Sequence, residues 1–147
     1  MEINETLFGI INSNVILSKS GGSTGSLWLI DFDNKTSLYI YCTWRIEHND
    51  NILTTSNDDT TPITGLLTKT VRELEGKKLI AFDLSKQYDL TLKFEDDYCV
   101  KIFCDISYSE TDNGGTYDTN WDLSMPDNNL VISISNCFKI KKSKYYS

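Results

Sequence analysis

The sequence has few of the residues that hydrolytic and metal-dependent sites use. Its 147 residues contain one histidine, His48, in a polar stretch, so a nucleophilic hydrolase would have only this residue as its usual general base. The single histidine, together with cysteines that are not at metal-ligand spacing, argues against a zinc site. We therefore predict that the chain is not an enzyme and has no cofactor and no metal.

Long apolar runs and a signal peptide are also missing. No stretch approaches the roughly 20 apolar residues of a membrane helix, and residues 1–12 lack the basic flank and apolar core of a signal peptide. The cysteines lie in apolar or aromatic stretches rather than in a secreted disulfide framework. These features predict a cytoplasmic protein that does not bind a membrane and whose cysteines are reduced and buried, namely Cys42, Cys99, Cys104 and Cys137.

Basic residues are scarce outside the C-terminal end. The formal net charge is -7, and four of the 14 basic residues lie in the last nine positions, which leaves 10 basic against all 21 acidic residues in positions 1–138, a balance of -11. An acidic body repels phosphate backbones, so nucleic acid is not an expected partner, whereas a basic protein would be attracted. A short lysine-rich end of this kind is usually a solvated terminus.

An internal repeat accounts for most of the chain. With a shift of 62 residues, WLIDFDNKTSLYIYC, which begins at Trp28, aligns without a gap with LTLKFEDDYCVKIFC, which begins at Leu90. With a shift of 77 residues, Trp44 falls on Trp121. We therefore predict one domain, residues 1–147, made of two repeats at about 7–56 and 74–136 that are joined by a linker or short helix at about 57–73.

The repeats have the alternation of β-strands. Apolar residues occupy every second position in four segments, and polar turns separate the paired segments. Residues 64–75 are the one segment with helical spacing, and Gly76 is a candidate stop. The pattern predicts a mostly β fold in which the two repeats pack as a sandwich or a partly open barrel, with at most one short helix between them. The four alternating segments are residues 28–32, 38–42, 90–94 and 100–104.

An insertion of about fifteen residues interrupts only the second repeat, and it is rich in acidic and tyrosine side chains. Loops that break the symmetry of a scaffold are places where recognition is often located. Tyrosine offers apolar contact area, and carboxylates pair with Lys or Arg of a protein partner. We predict that the partner-binding residues are Tyr108, Glu110, Asp112, Tyr117, Asp118 and Asp122. The same segment leaves open a Ca²⁺ loop or acid catalysis, although its spacing does not match a helix-flanked calcium loop.

The tryptophans that the repeat equates have two interpretations. Equivalent large residues in a duplicated fold are most often core anchors, and we predict this for Trp44 and Trp121. The alternative is a small-molecule or carbohydrate-binding domain with a cavity lined by Trp28, Tyr39, Tyr41 or Trp121. Arg45 and Asp122 follow the two equivalent tryptophans, so a pseudo-symmetric ion pair between them is possible.

The second repeat contains a pattern of L-x-G, then D-L-x-L-x-F, then a strand that ends in an aromatic residue, then N-W. These motifs are Leu74-Glu75-Gly76, Asp89-Leu90-Thr91-Leu92-Lys93-Phe94, Val100-Lys101-Ile102-Phe103 and Asn120-Trp121. The pattern resembles the immunity proteins encoded beside bacterial polymorphic toxins and related small bacterial families. The resemblance covers the second repeat well and the first loosely, and it rests on scaffold residues. It implies a cytosolic protein that binds and neutralises a cognate, basic toxin domain without catalysis.

Overall fold

Two antiparallel β-sheets form most of the computed structural model, which describes residues 2–21, 27–105 and 119–145. The expected mostly β sandwich is confirmed. In chain order the elements are α1 Ile3–Ile10, β1 Val15–Ser20, β2 Trp28–Phe32, β3 Ser37–Ile40, β4 Thr43–His48, β5 Asn51–Thr55, α2 Leu66–Val71, β6 Leu79–Leu84, β7 Leu90–Phe94, β8 Tyr98–Phe103, β9 Thr119–Met125, β10 Leu130–Ser135 and β11 Ile140–Ser143. Short 3-10 turns occupy Arg72–Leu74, Glu95–Asp97 and Pro126–Asn128.

Each sheet combines strands from both halves of the chain. The six-stranded sheet has the order β1-β2-β3-β9-β10-β11, and the five-stranded sheet has the order β5-β4-β8-β7-β6. The β3–β9 ladder and the β4–β8 ladder join the two halves, and in them Ile40 pairs with Trp121 and Ile102 pairs with Trp44. These are the positions that the shifts of 62 and 77 residues equate. The internal repeat itself stays a prediction.

The sandwich interior is filled by large apolar side chains. Trp28, Trp44 and Trp121 have no exposed surface, and the rings of Trp28 and Trp44 lie 4.4 Å apart. The prediction that Trp44 and Trp121 anchor the core is therefore confirmed. All four cysteines are free; Cys42 is buried and the other three are partly buried.

The helices differ partly from the sequence prediction. The predicted helical segment forms α2 and the 3-10 turn after it, and the chain leaves this turn just before Gly76, whose φ of 87° favours glycine. Helix α1 was not expected from the sequence. Its signals are a capping box between Glu2 and Glu5 and the spacing of Ile3, Leu7 and Ile10, all three of which are buried.

The C-terminal lysines are not simply a solvated terminus. Residues 140–143 form β11, which pairs with β10 at the edge of the six-stranded sheet, with Ile140 opposite Ile134. All four residues of β11 are exposed, and two of them are lysines. Lysines on an outer strand discourage pairing with the edges of other molecules, so this part of the tail protects the sheet.

Ser18 links β1 to the core and to the C-terminal end of α2. Its buried hydroxyl accepts a hydrogen bond from the Trp28 indole N–H at 2.9 Å and donates one to the Val71 carbonyl at 2.5 Å. Replacing Ser18 with alanine leaves the buried Trp28 indole N–H without its hydrogen-bond acceptor, so we expect the free energy of unfolding to fall by about 1–3 kcal/mol. Urea unfolding measures this change.

A double-mutant cycle with Trp28→Phe separates the indole hydrogen bond from the rest of the effect. Because phenylalanine has no N–H to leave unpaired, Ser18→Ala should cost less in that background. A Ser18→Ala variant within about 0.5 kcal/mol of the parent would contradict the linking role of this hydroxyl.

Candidate functional site

The structure describes one of the six residues predicted to bind a partner, Asp122 in β9. The other five lie outside the described residues, and so does the segment considered for Ca²⁺; they are Tyr108, Glu110, Asp112, Tyr117 and Asp118. The candidate site is therefore built from Asp122 and the strands beside it.

Asp122 lies on the outer face of the six-stranded sheet. Because strand side chains alternate, Trp121 and Leu123 point into the core and Asp122 points away from it. Its partners in register are Tyr39 on β3 and Ser133 on β10. The cross-strand row through this position, which we call the Asp122 row, contains Lys19, Leu29, Tyr39, Asp122, Ser133 and Lys141.

Two tyrosines form an aromatic surface beside this carboxylate. Tyr39 and Tyr41 alternate with the core residues Leu38 and Ile40, and their rings are stacked with centroids 6.5 Å apart and planes 12° apart. Tyr41 is 49% exposed, and its backbone N–H donates to the Asn120 carbonyl, which holds it next to β9. The outer face thus combines a carboxylate with an accessible aromatic ring.

The Asp122 carboxylate is unusual because it is partly buried and one of its oxygens has no compensating hydrogen bond from the described residues. Its Oδ1 atom is shielded from solvent and accepts no hydrogen bond within the described part of the chain. Burial raises the pKa of Asp122 to about 7. The pKa rises because burial removes this group from water, so the carboxyl changes its charge near neutral pH.

Both tyrosines stay protonated under the same conditions. Burial, and then the charge of Asp122, raises the pKa of Tyr41 to about 12. Burial, then Asp31, then Asp122 also raises the pKa of Tyr39. The phenol groups therefore remain available as hydrogen-bond donors on this face.

The five-stranded sheet carries a contrasting arrangement at Arg45, the position that the predicted repeat equates with Asp122. Arg45 pairs with Glu47 at 2.6 Å, and Lys101 lies 3.4 Å from the same carboxylate oxygen. The Arg45 guanidinium also lies 5.1 Å from the centre of the Phe103 ring. Arg45 and Asp122 are on different sheets, so the ion pair considered between them is replaced by the pair of Arg45 with Glu47.

A comparison with protein-family models, curated proteins and solved structures found no match to this chain. The resemblance of the second repeat to toxin immunity proteins therefore stays a prediction. The site rests on the geometry of the chain itself.

Two of the open depressions on the described surface bear on the search for a binding site. One, of about 310 Å³, adjoins the Asp122 row and is lined by Lys19, Leu29 and Tyr39 with Ser20, Gly21 and Leu27. The other, of about 520 Å³, lies between α1 and β6, where Phe8 is 68% exposed beside Phe82. Of these two, only the first has lining residues that belong to the Asp122 row.

The residues suggested for a ligand cavity do not share one. Trp28 and Trp121 are in the core, whereas Tyr39 and Tyr41 are on the outer face. Alternation alone could have indicated this outer position, because Leu38 and Ile40 take the core positions of the same segment. What the sequence could not indicate is that this segment lies beside Asp122.

Other chemistry is not assembled among the described residues. His48 stacks on Tyr98 with ring centroids 4.3 Å apart at the end of β4. No group of three or more His, Cys, Asp or Glu side chains in residues 2–21, 27–105 and 119–145 is placed to hold a metal ion. The helices described in these ranges are too short to cross a membrane.

Proposed function

We propose that this chain is a non-enzymatic protein-binding domain that neutralises a cognate bacterial toxin in the cytoplasm, as immunity proteins do. The observation that carries the proposal is the Asp122 site, an unpaired carboxylate beside stacked tyrosines on the outside of a filled sandwich. Aromatic rings beside a charged group that can pair with another protein are typical of protein interfaces. The acidic balance of -11 in residues 1–138 and the resemblance of the second repeat support the same function.

Inhibition would be stoichiometric and would need no cofactor. The acidic body attracts a basic toxin domain and speeds its association, whereas desolvated aromatic and charged contacts slow its release. The bound domain covers or distorts the toxin's active site. Nucleic acid and membranes are not partners in this proposal, because the net charge repels phosphate groups.

The internal repeat belongs to the proposal as well. Two copies of one β motif supply the scaffold, and the insertion at residues 108–120 distinguishes one copy from the other. The interface extends in this view from Asp122 to the acidic and tyrosine residues of that insertion. An asymmetric surface on a symmetric scaffold gives the partner a single way to bind.

The test is co-purification with the product of the neighbouring gene, expressed in a catalytically inactive form. We expect a one-to-one complex that dissociates slowly, and we expect the chain to protect cells that express the active toxin. No complex at low salt together with no protection would overturn the proposed function and make small-molecule screening the better course.

Charge reversal within the insertion defines the interface in the same experiment. Changing Glu110, Asp112 or Asp118 to lysine should weaken the complex and leave the melting temperature unchanged, because long-range attraction is lost while the core is untouched. Asp83→Lys, on the edge strand of the other sheet, is the matched control. Unchanged affinity in all three variants would remove the insertion from the interface.

A further inference from the structure

We infer that the outer face around Asp122 binds an arginine side chain of a basic protein partner, with the guanidinium paired to the Asp122 carboxylate and stacked on Tyr39 and Tyr41. The inference deepens the proposed function and rests on it, since it names the chemistry by which a partner would be recognised. It gives the partly buried Asp122 carboxylate a role in binding.

No cation among the described residues pairs with Asp122. On the five-stranded sheet the partly buried Glu47 carboxylate is neutralised by Arg45 and Lys101. On the six-stranded sheet Asp122 receives no comparable partner from the described residues, and Lys141 lies two strands away in the same row. A buried carboxylate is costly unless a cation or hydrogen-bond donors approach it. A partner that brings a cation would remove this cost on binding.

Arginine is the cation whose shape fits this surface best. A guanidinium is planar, so it can stack on a tyrosine ring while its edge donates to a carboxylate. Tyr41 is half exposed, and the rings of Tyr39 and Tyr41 are nearly parallel, so a flat group can lie against them. The Arg45 guanidinium already adopts this combination on the other sheet, with Glu47 as its carboxylate and Phe103 as its ring.

The surface next to Tyr39 has space for the partner's chain. The depression of about 310 Å³ begins at Tyr39 and continues past Leu29. Residues next to the arginine can therefore lie on apolar surface without displacing the sheet. The charged or titratable groups associated with this face are Lys19, Asp31, Tyr39, Tyr41, Asp122, Lys141 and Tyr145.

Binding of the cation is linked to a proton. Since burial raises the pKa of Asp122 to about 7, a large part of the free protein carries a neutral carboxyl below that pH. The arginine requires the ionised form, so its affinity should increase as the pH rises through about 7 and then level off. Asp122→Asn should abolish this pH dependence.

The probe is an acetylated and amidated Gly-Arg-Gly peptide, and its control is the same peptide with citrulline, which has the shape of arginine without its charge. Titrated into the isotopically labelled full chain, the arginine peptide should shift NMR signals of Tyr39, Tyr41 and Asp122. Asp122→Asn should lower its affinity by about tenfold or more, because a charge-assisted hydrogen bond is lost. Asp83→Asn, which removes the same charge from β6, should leave the affinity unchanged.

Equal binding of the citrulline peptide, or equal binding to Asp122→Asn, would overturn the inference, and so would an absence of binding to the parent chain. Failure of the proposed function gives a different result. If the toxin complex forms and survives Asp122→Asn, the protein-binding function stands and the interface lies elsewhere. If the arginine peptide binds at Asp122 but no toxin complex forms, the site stands without the toxin.

Discussion

Replacing Trp121 with alanine should lower the free energy of unfolding by about 3–5 kcal/mol, the usual cost of truncating a buried aromatic residue. Trp121 has no exposed surface, and it pairs with Ile40 in the β3–β9 ladder. Its indole N–H also donates to the Tyr88 carbonyl at 2.9 Å, which ties the six-stranded sheet to the loop before β7. Urea unfolding followed by circular dichroism measures the loss without relying on tryptophan fluorescence.

Two control variants separate burial from other effects of the Trp121 substitution. Trp121→Phe keeps most of the apolar volume and loses the hydrogen bond, so it should cost less than alanine. Tyr41→Ala removes an aromatic residue that is half exposed, and its cost should be much smaller. A near-neutral Trp121→Ala variant would place this side chain at the surface and revive the idea of a tryptophan ligand platform.

Asp122→Asn should stabilise the protein at alkaline pH and change its stability little at acid pH. The pKa of the carboxyl is about 7 in the folded protein and about 3.9 in an unfolded chain, so the folded state binds more protons between these values. The contribution of Asp122 to stability therefore falls as the pH rises through this window and is most unfavourable above about 7.

The size of this effect follows from the same two pKa values. The rise in the pKa of Asp122 corresponds to a loss of at most about 4 kcal/mol in the free energy of unfolding. Partial exposure of the carboxyl and the new amide group reduce the gain expected from Asp122→Asn to about 2–3 kcal/mol above pH 7. Urea unfolding of both proteins at several pH values between about 4 and 8 measures it. Asp83→Asn is the matched control for loss of one negative charge. If Asp122→Asn and the parent kept a constant difference across this range, the carboxyl would not be buried as described.

The two expected effects of Asp122→Asn oppose each other in the function proposed above. The substitution should make the free chain more stable and its binding of arginine weaker. A residue that costs stability while it serves recognition is a common compromise at binding sites. Such a residue is also a clear experimental marker, because one substitution moves stability and affinity in opposite directions.

Local sequence pattern predicted the strands well because one face of each strand packs on a common core. The alternation in residues 28–32 and 90–94 coincides with β2 and β7. Gly76 marked the end of the helical segment for a local reason, its positive φ. Such features depend on near neighbours and can be read without knowledge of the fold.

The pairing of strands between the halves was harder to predict. One edge of β3 pairs with β2 of its own repeat, but nothing in the alternation of residues 38–42 tells whether its other edge pairs with β9 or with another strand of that repeat, because either ladder buries the same face. β11 was missed since its stability comes from pairing with β10, and its side chains are exposed. Helix α1 is only eight residues long, so its hydrophobic spacing was easily overlooked.

The candidate site was predicted in part. Asp122 belonged to the predicted set because of its charge, but Tyr39 and Tyr41 were considered as cavity residues. Their position beside Asp122 depends on the β3–β9 ladder, which joins residues about 80 positions apart in the chain. Burial of Asp122 likewise depends on its neighbours in three dimensions, so its raised pKa has no signature in the sequence.

The exchange of strands between the halves also determines the order of events during synthesis. The β4–β5 hairpin emerges from the ribosome long before Tyr98–Phe103, the strand that must lie beside it, and β3 waits for Thr119–Met125. Until the second half of the chain has been made, Trp28 and Trp44 have no complete core to enter. Ladders that connect distant parts of a chain form slowly, and the waiting apolar faces favour aggregation. A nascent chain that stalls before β9 is therefore a natural substrate for chaperones or proteases, and the six-stranded sheet can be completed only after β9 has been synthesised.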